Sequence, residues 1–525
     1  MITEKLKTIR KPSARKISLL CLYLYFVFIF IGQYIAGVSI ELKTWIVPVL
    51  CAGAVPAAGL ADRACGGLLG MNLNRRGSRK EEVIWFFGTF AGAAGLLGMY
   101  YYAFFPGAFS PDSNVQLSQV LSGSYSDWHP LLHTLLFFTV PMKVFQAEEM
   151  IVFLQLVYFS AGLAYLTATV RKYGCPRSVC ALGVCFVLFS PVTGNILMYP
   201  WKDCGLAIFA MAAVAHYINI ILSRGEWLRK KRNVLACGLF LGFTTLMRHN
   251  AVLFTFSMMA ALLANGWKEY RRRALLAAAV CIITVAAVKG PLYHIYRIEK
   301  PGGRVLESTG MCMTMMGNVV KNCPELLDEE IRDFLYEVSP KEVWQKANIL
   351  GGYNGVKWNK ETNNQVIEEA GAGKILEYTF RSFWAAKRVS LQAFFRVTGM
   401  VWKLDGDLDW GIGASADTEK TEIVINAEWQ SKVRTSLTNW KNLMGKSILR
   451  FPMNYLGWAD LALTALALTA LGRRKSPAVI LHAAPLLCYN FGTALLLTGF
   501  DWRFFYLTFP LIIPTVFLLA RDTQE

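Results

Sequence analysis

Ionisable side chains crowd one short polar stretch of the chain, residues 106–130. Asp112 follows Ser110 and Pro111 near its start, and Asp127 and His129 lie near its end. Carboxylates and imidazoles are the groups that most often transfer protons in enzymes. The same stretch has a plain structural interpretation, because Asp112 directly after a proline would also begin a helix well. The spacing alone leaves both interpretations open.

Three basic residues lie in other short polar segments. Lys202 precedes Asp203 in the turn at 198–203, where the pair could act in chemistry or merely mark a membrane interface beside Trp201. Arg248 separates two apolar segments, and arginine at a bilayer centre costs roughly 2.5–3.5 kcal/mol. It should therefore line a polar cavity or extend to the interface. Arg503 lies in a last polar turn, 498–503.

These polar segments lie between long apolar runs. The 525 residues are 54% hydrophobic and only 17% charged, against about 25% charged in a typical soluble domain. A membrane-spanning helix needs about 20 mostly apolar residues, and several runs approach or reach that length. The composition predicts an all-α polytopic membrane protein.

The net charge of +18 is distributed in a way that argues against nucleic-acid binding. The basic residues form short clusters between apolar runs: six in the first sixteen residues, then 75–76, 229–232, 271–273 and 473–475. Such clusters mark cytoplasmic loops under the positive-inside rule. We therefore expect a multi-pass plasma-membrane protein with both termini in the cytoplasm.

Taking the clusters as cytoplasmic predicts about twelve transmembrane helices. They fall at residues 17–38, 45–61, 83–105, 150–170, 179–197, 204–222, 234–246, 251–264, 274–293, 454–471, 477–497 and 504–519, with 131–145 lying along the outer surface. The loops 106–130, 198–203, 294–451 and 498–503 would then all be external.

The same pattern divides the chain into four parts. Residues 1–82 hold two extra N-terminal helices, 83–293 form the membrane core, 294–452 form a mostly helical extracytoplasmic region, and 453–525 hold the C-terminal helices. Aromatic residues at helical spacing between 380 and 395 could lie in the membrane interface. Cys312 and Cys323 could form a disulfide, although nothing else in the sequence supports one.

Two of these motifs resemble a known family. An acidic residue after a membrane helix, Asp112, followed by Asp127-Trp128-His129-Pro130, is similar to bacterial relatives of the protein O-mannosyltransferases. That family belongs to the C-type (GT-C) glycosyltransferase superfamily, which uses polyprenyl-phosphate sugars. Leu131 and Ser113 depart from the family pattern, which indicates a distant branch.

The resemblance implies a role for each candidate residue. Asp112 would be the catalytic base, and Asp203 a second catalytic residue that orients the phosphate or holds Mg²⁺ or Mn²⁺. The expected substrate-binding residues are Asp127, His129, Lys202, Arg248 and Arg503. The partners would be a polyprenyl-phosphate sugar, an extracytoplasmic acceptor (wall polymer, lipid or protein) and membrane lipids.

Two other classes compete with this interpretation. A membrane transporter or flippase would also place charges in the membrane, but the inverted repeats and broken helices common in transporters are not visible. A non-catalytic scaffold would explain the apolar bulk but not the loop motifs.

Overall fold

The protein is all-α in the computed structural model. The structure describes residues 13–37, 45–71, 73, 76–299, 303–404, 427–450, 455–473, 477–496, 498–499 and 501–522. Within these ranges there is no β-strand, only an isolated bridge between Ser126 and Glu299.

The longer helices are labelled here in chain order. They are α1 (Ala14–Gly37), α2 (Ile46–Leu69), α3 (Arg79–Ala103), α4 (Pro111–Ser122), α5 (Leu131–Phe145), α6 (Glu149–Lys172), α7 (Arg177–Leu188), α8 (Lys202–Leu222), α9 (Lys231–Met247), α10 (Val252–Asn265), α11 (Arg271–Ile295), α12 (Gly310–Asn322), α13 (Glu329–Val338), α14 (Gln365–Ala385), α15 (Lys387–Thr398), α16 (Ala427–Lys446), α17 (Leu456–Arg473), α18 (Ala484–Ala494) and α19 (Thr508–Asp522).

Seven helical segments are long and apolar enough to cross a membrane: α1, α2, α3, α6, α8, α11 and the segment Trp502–Asp522, which includes α19. The chain is therefore an integral membrane protein, as predicted. The other predicted crossings fall on shorter or less apolar helices, so the number twelve stays a prediction.

The central element is α8, in which almost every residue is buried. It packs against α6 on one side and α9 on another, while α3 lies against α6 and α9 against α11. On the far side, α1 packs against α2 and α17. The first two residues of this central helix are Lys202 and Asp203, so both candidates begin a rigid, fully surrounded element.

Two predicted helix boundaries are wrong. The second helix does not end at residue 61 but runs to Leu69, because Asp62 pairs with Arg15 (3.9 Å) and Arg473 (4.0 Å), and a paired charge does not end a helix. The predicted helix 179–197 breaks after Leu188, because Pro191 disfavours helical geometry at the residue before it, Ser190. A separate short helix, Pro191–Ile196, follows.

The predicted external region, residues 294–452, is called the external region below, and its described part has a hydrophobic core of its own. Trp344, Tyr353 and Tyr378 are almost completely buried there, between helices α12, α13 and α14. The chain then returns to the membrane core: Phe395, on α15, contacts Phe28 of α1 at a ring distance of 5.5 Å. Cys312 and Cys323 are both free thiols.

The loops group at two opposite ends of the bundle. At one end, which we call the basic end, the backbone N–H of Gly77 donates to Lys172, and Glu81 accepts from Arg171 at 3.0 Å. At the other, the site end, the loops that the charge pattern assigns to the outside contact each other. Which end faces the cytoplasm stays a prediction.

Candidate active site

Asp112 lies in the first turn of α4 but does not cap the helix. The cap is Ser110, whose Oγ accepts a hydrogen bond from the backbone N–H of Ser113. Asp112 is therefore free to contact another element, and its Oδ2 lies 3.1 Å from Nη1 of Arg503. Its other carboxylate oxygen makes no hydrogen bond within the described part of the chain, and the side chain is 31% exposed. One oxygen of Asp112 thus remains open to a ligand.

The turn at residues 198–203 lies directly against this loop. The indole N–H of Trp201 donates to Ser110 Oγ at 2.7 Å, and the backbone N–H of Ala108 donates to the carbonyl of Met198 at 2.9 Å. Tyr199 stacks on Trp201 with ring centroids 4.3 Å apart. The structure therefore brings Asp112 and the start of α8 to one place, across 90 residues of sequence.

Asp203 holds an arginine from a third segment. Its Oδ1 accepts a hydrogen bond from Nη1 of Arg248, and its Oδ2 is buried without a partner among the described residues. The Arg248 guanidinium lies over the ring of Phe504, with Cζ 4.1 Å from the centroid. Arg248 follows the end of α9 in extended backbone, which places it at the helix terminus.

Arg503 connects the last external turn to the first. Besides Asp112 it contacts Asp501, whose Oδ2 lies 2.6 Å from its Nε, and its guanidinium lies 4.6 Å from the ring of Trp201. Asp501 was not among the predicted site residues. Its position two residues before Arg503, in the same short turn, is the signal that could have found it. Asp501 also accepts from the backbone N–H of Arg503 and so begins the short helix Trp502–Phe505.

Lys202 lies among these charges without a partner of its own. It makes no hydrogen bond or ion pair with any residue that the structure describes, and it is close enough to Arg248, Asp112 and Arg503 to interact with their charges. The site thus contains three cations and three carboxylates: Lys202, Arg248 and Arg503 with Asp112, Asp203 and Asp501. The two arginines are paired with all three carboxylates, so Lys202 is left for a ligand.

Asp127 is fully engaged by the protein. Its Oδ1 accepts from the hydroxyl of Tyr293 at 2.5 Å, its Oδ2 from Arg304 at 3.3 Å, and its backbone carbonyl from His249 at 3.0 Å. Only 7% of the side chain is exposed. The geometry therefore fits a residue that fastens the first loop to α11 and to the external region, and its role in substrate binding stays a prediction.

His129 is buried beside the cluster, and neither of its ring nitrogens has a hydrogen-bond partner within the described residues. Burial, followed by the nearby Lys202, lowers the pKa of His129 to about 3. Its imidazole is therefore neutral at physiological pH.

The pKa of Asp112 is also lowered. Burial by itself would raise it, but the positive charges of Arg503 and Lys202 outweigh that effect. The carboxylate is therefore ionised at neutral pH, as a base must be.

The external region covers the site end. Lys357 forms an ion pair with Glu307 and lies over the ring of Trp128, 5.7 Å from its centroid. The backbone N–H of Asn354 donates to the carbonyl of Thr498 in the last external turn. At Gly352, where φ is 110°, a Cβ would come within 2.4 Å of the Gly499 backbone, so only glycine allows this close approach.

The residues around Asp203 do not fit a divalent cation. Its one bonded oxygen is taken by Arg248, and no group of three His, Cys, Asp or Glu side chains within the described residues could hold a metal ion. Mg²⁺ and Mn²⁺ prefer several hard oxygen ligands, and a guanidinium in contact repels a cation.

Comparisons with known proteins add a structural likeness. No protein-family model and no curated protein matches the sequence. The fold is similar to the crystal structure of ArnT from Cupriavidus metallidurans bound to undecaprenyl phosphate, with 13% identity over 83% of this chain and 77% of that one. The TM-score of 0.34 is too low to support an argument, so the function has to be inferred from the residues of this chain.

Proposed function

We propose that the protein is a membrane glycosyltransferase of the C-type superfamily. It would transfer a sugar from a polyprenyl-phosphate donor to an extracytoplasmic acceptor, which would be a wall polymer, a lipid or a protein. The observation that carries the proposal is one juxtaposition: the half-open carboxylate of Asp112 lies near the unpartnered Lys202, the first residue of the apolar helix α8.

The reaction needs a base and positive charge in the same place. A carboxylate oxygen of Asp112 accepts the proton of the acceptor hydroxyl while the acceptor oxygen forms a bond to the sugar C1. The bond between C1 and the phosphate oxygen breaks, and its electron pair leaves with the phosphate. Base catalysis of this kind contributes roughly 10²–10⁴-fold, and fixed cations stabilise the charge that develops on the leaving group.

Three side chains would hold that phosphate. Lys202 has no competing partner, and Arg248 and Arg503 both lie against Phe504 with further N–H groups to donate. Arginine suits a bidentate grip on phosphate oxygens. Asp203 would act through Arg248 as a positioning residue.

The lipid tail explains why the charges lie at this position in the molecule. A polyprenyl phosphate places its phosphate at the membrane surface and its chain among the apolar helices. A charge cluster at the ends of α8 and α9 lies where such a headgroup would be. The site end would then be extracytoplasmic, covered by the region that contains Glu307 and Lys357.

The test is binding of undecaprenyl phosphate to the purified full-length protein, measured by native mass spectrometry. We expect wild type to bind it and Lys202→Gln to bind about 10- to 100-fold more weakly, because a hydrogen bond to a charged group is worth about 1.5–3 kcal/mol. Lys374→Gln, an exposed lysine on the external region, is the matched control. Equal binding by all three proteins would contradict the proposal.

A second experiment separates transfer from transport. Lipids that co-purify with the protein should include a sugar-bearing polyprenyl phosphate, identified by mass spectrometry. The same lipid is then followed in proteoliposomes. If the protein moves it across the bilayer, and Asp112→Asn moves it equally fast, the protein is a flippase instead.

A further inference from the structure

His129 lies in the site, and the proposed reaction leaves it without a task. It is 1% exposed, and both Nδ1 and Nε2 are buried without a partner among the residues described. Buried polar groups are nearly always hydrogen-bonded, and an exception needs an explanation such as an absent ligand or water. Two unmet nitrogens on one ring therefore indicate a missing binding partner.

The charges around His129 restrict what that partner can be. Burial disfavours a charge on the ring most strongly, the positive charges of Lys202 and Arg503 act in the same direction, and Asp112 acts against them. A further positive charge here is unfavourable, so the ring stays neutral. A neutral imidazole has one N–H that donates and one nitrogen that accepts.

A phosphate dianion has only acceptor atoms and cannot satisfy both nitrogens. A hydroxyl group both donates and accepts, and a sugar carries several hydroxyls on adjacent carbons. The site residues separate into the same two kinds. Lys202, Arg248 and Arg503 provide the cations that suit a phosphate. The imidazole is a neutral group within that charged site.

We infer that His129 is a sugar-recognition residue, whose two ring nitrogens bind hydroxyl groups of the sugar carried by the lipid donor. This inference rests on the proposed function and assigns the part of the site that distinguishes a sugar-bearing lipid from the bare lipid phosphate. His129 is then a binding residue and not the base.

The position of the residue supports this assignment. His129 directly follows Trp128, which contacts Lys357 of the external region. His129 also interacts electrostatically with Asp112. A sugar between the phosphate cations and this cover would have its C1 near the Asp112 carboxylate. His133 differs, because its Nδ1 lies 2.8 Å from Gln116 Oε1 in a hydrogen bond and only its Nε2 lacks a partner among the described residues.

The experiment compares two ligands that differ only in the sugar. Full-length protein is tested by native mass spectrometry against undecaprenyl phosphate and against undecaprenyl phosphate carrying glucose, galactose, mannose or arabinose. We expect wild type to bind at least one sugar-bearing lipid more tightly than undecaprenyl phosphate. In His129→Phe the affinity for that lipid should fall by about 10-fold, while the affinity for undecaprenyl phosphate stays the same. His294→Phe, at an exposed histidine, is the control.

A second variant protects the test against misfolding. His129→Asn keeps one donor and one acceptor on a shorter side chain, and we expect it to retain part of the preference. A wild type that binds undecaprenyl phosphate but prefers no sugar would overturn the inference, as would His129 variants whose preference equals that of wild type. A wild type that binds none of these lipids would instead overturn the proposed function.

Discussion

At the scale of single residues, the decisive feature is that Asp112 does not cap the helix in whose first turn it lies. Ser110 caps α4, so the Asp112 carboxylate is held only by Arg503 and keeps one oxygen open. A cap and a base would otherwise be hard to tell apart by mutation. Because another residue provides the cap, a change at Asp112 reports on chemistry.

Asp112→Asn should abolish most of the transfer activity without unfolding the protein. Asparagine keeps the shape and removes the negative charge and nearly all of the basicity. If Asp112 is the base, sugar transfer from the lipid donor should fall by roughly 100- to 10,000-fold, measured with the co-purified donor, while thermal unfolding changes little. Activity within a few-fold of wild type would remove Asp112 from the mechanism.

The pH profile should show the effect of Arg503 on Asp112. The pKa of Asp112 lies below the ordinary aspartate pKa of about 3.9. The carboxylate is therefore ionised at every pH between 5 and 7, and the rate should not fall in that range. Arg503→Gln removes the strongest opposing charge and raises that pKa. The acid limb of the profile, normalised to its own maximum, should then move to higher pH. A limb that stays in place would show that another group titrates.

At the scale of helices, α4 depends on a serine that has two partners. Ser110 caps the helix and also accepts from Trp201, so it fixes both α4 and the turn that leads to Lys202. Hydropathy could predict most membrane helices, because long apolar runs have few other solutions. It could not predict this connection, which depends on residues 91 positions apart.

Ser110→Ala should therefore destabilise the protein. Loss of an N-cap costs about 0.5–2 kcal/mol, and the freed indole N–H of Trp201 adds to the effect. The free energy of unfolding in detergent is the measurement. Ser118→Ala, an exposed position on the same helix, is the control, and it should be neutral or slightly stabilising. Equal effects of the two changes would contradict the role of the cap.

The aromatic stretch predicted at the membrane interface divides into two parts in the structure. Phe395 is buried against α1, whereas Leu376, Phe380 and Trp384 form an exposed stripe along one face of α14. Apolar stripes of this kind, with Lys387 beside Trp384, are typical of helices that contact a bilayer surface. The interface contact stays a prediction for the exposed part.

A matched pair of labels tests that contact. Phe380 is 62% exposed, and Lys374, which lies away from the stripe on the polar side of the same helix, has a side chain that is 49% exposed. A fluorophore on Phe380→Cys should be quenched by lipids that carry a quencher near the headgroup, and one on Lys374→Cys should be quenched much less. Quenching that is equal at both positions would show that the stripe does not enter the bilayer.

At the scale of the whole molecule, the site could be predicted only in part. Asp112, Asp203, Lys202, Arg248 and Arg503 were found because each is an isolated charge in a short polar segment, and the structure brings all five together. The tight engagement of Asp127 was not foreseen. Its partners lie 166 and 177 residues further along the chain, and no local pattern announces such contacts.

The orientation of the molecule in the membrane is the remaining prediction, and two exposed lysines at opposite ends test it. Lys230 lies in a basic cluster and Lys360 on the external region. A membrane-impermeant maleimide should label Lys360→Cys in intact cells and Lys230→Cys only after permeabilisation, with the unsubstituted protein as background for the native cysteines. The physical reason is the retention of lysine- and arginine-rich loops in the cytoplasm. The opposite labelling would place Asp112 and Lys202 on the cytoplasmic face, where the covering region could not select an extracytoplasmic acceptor.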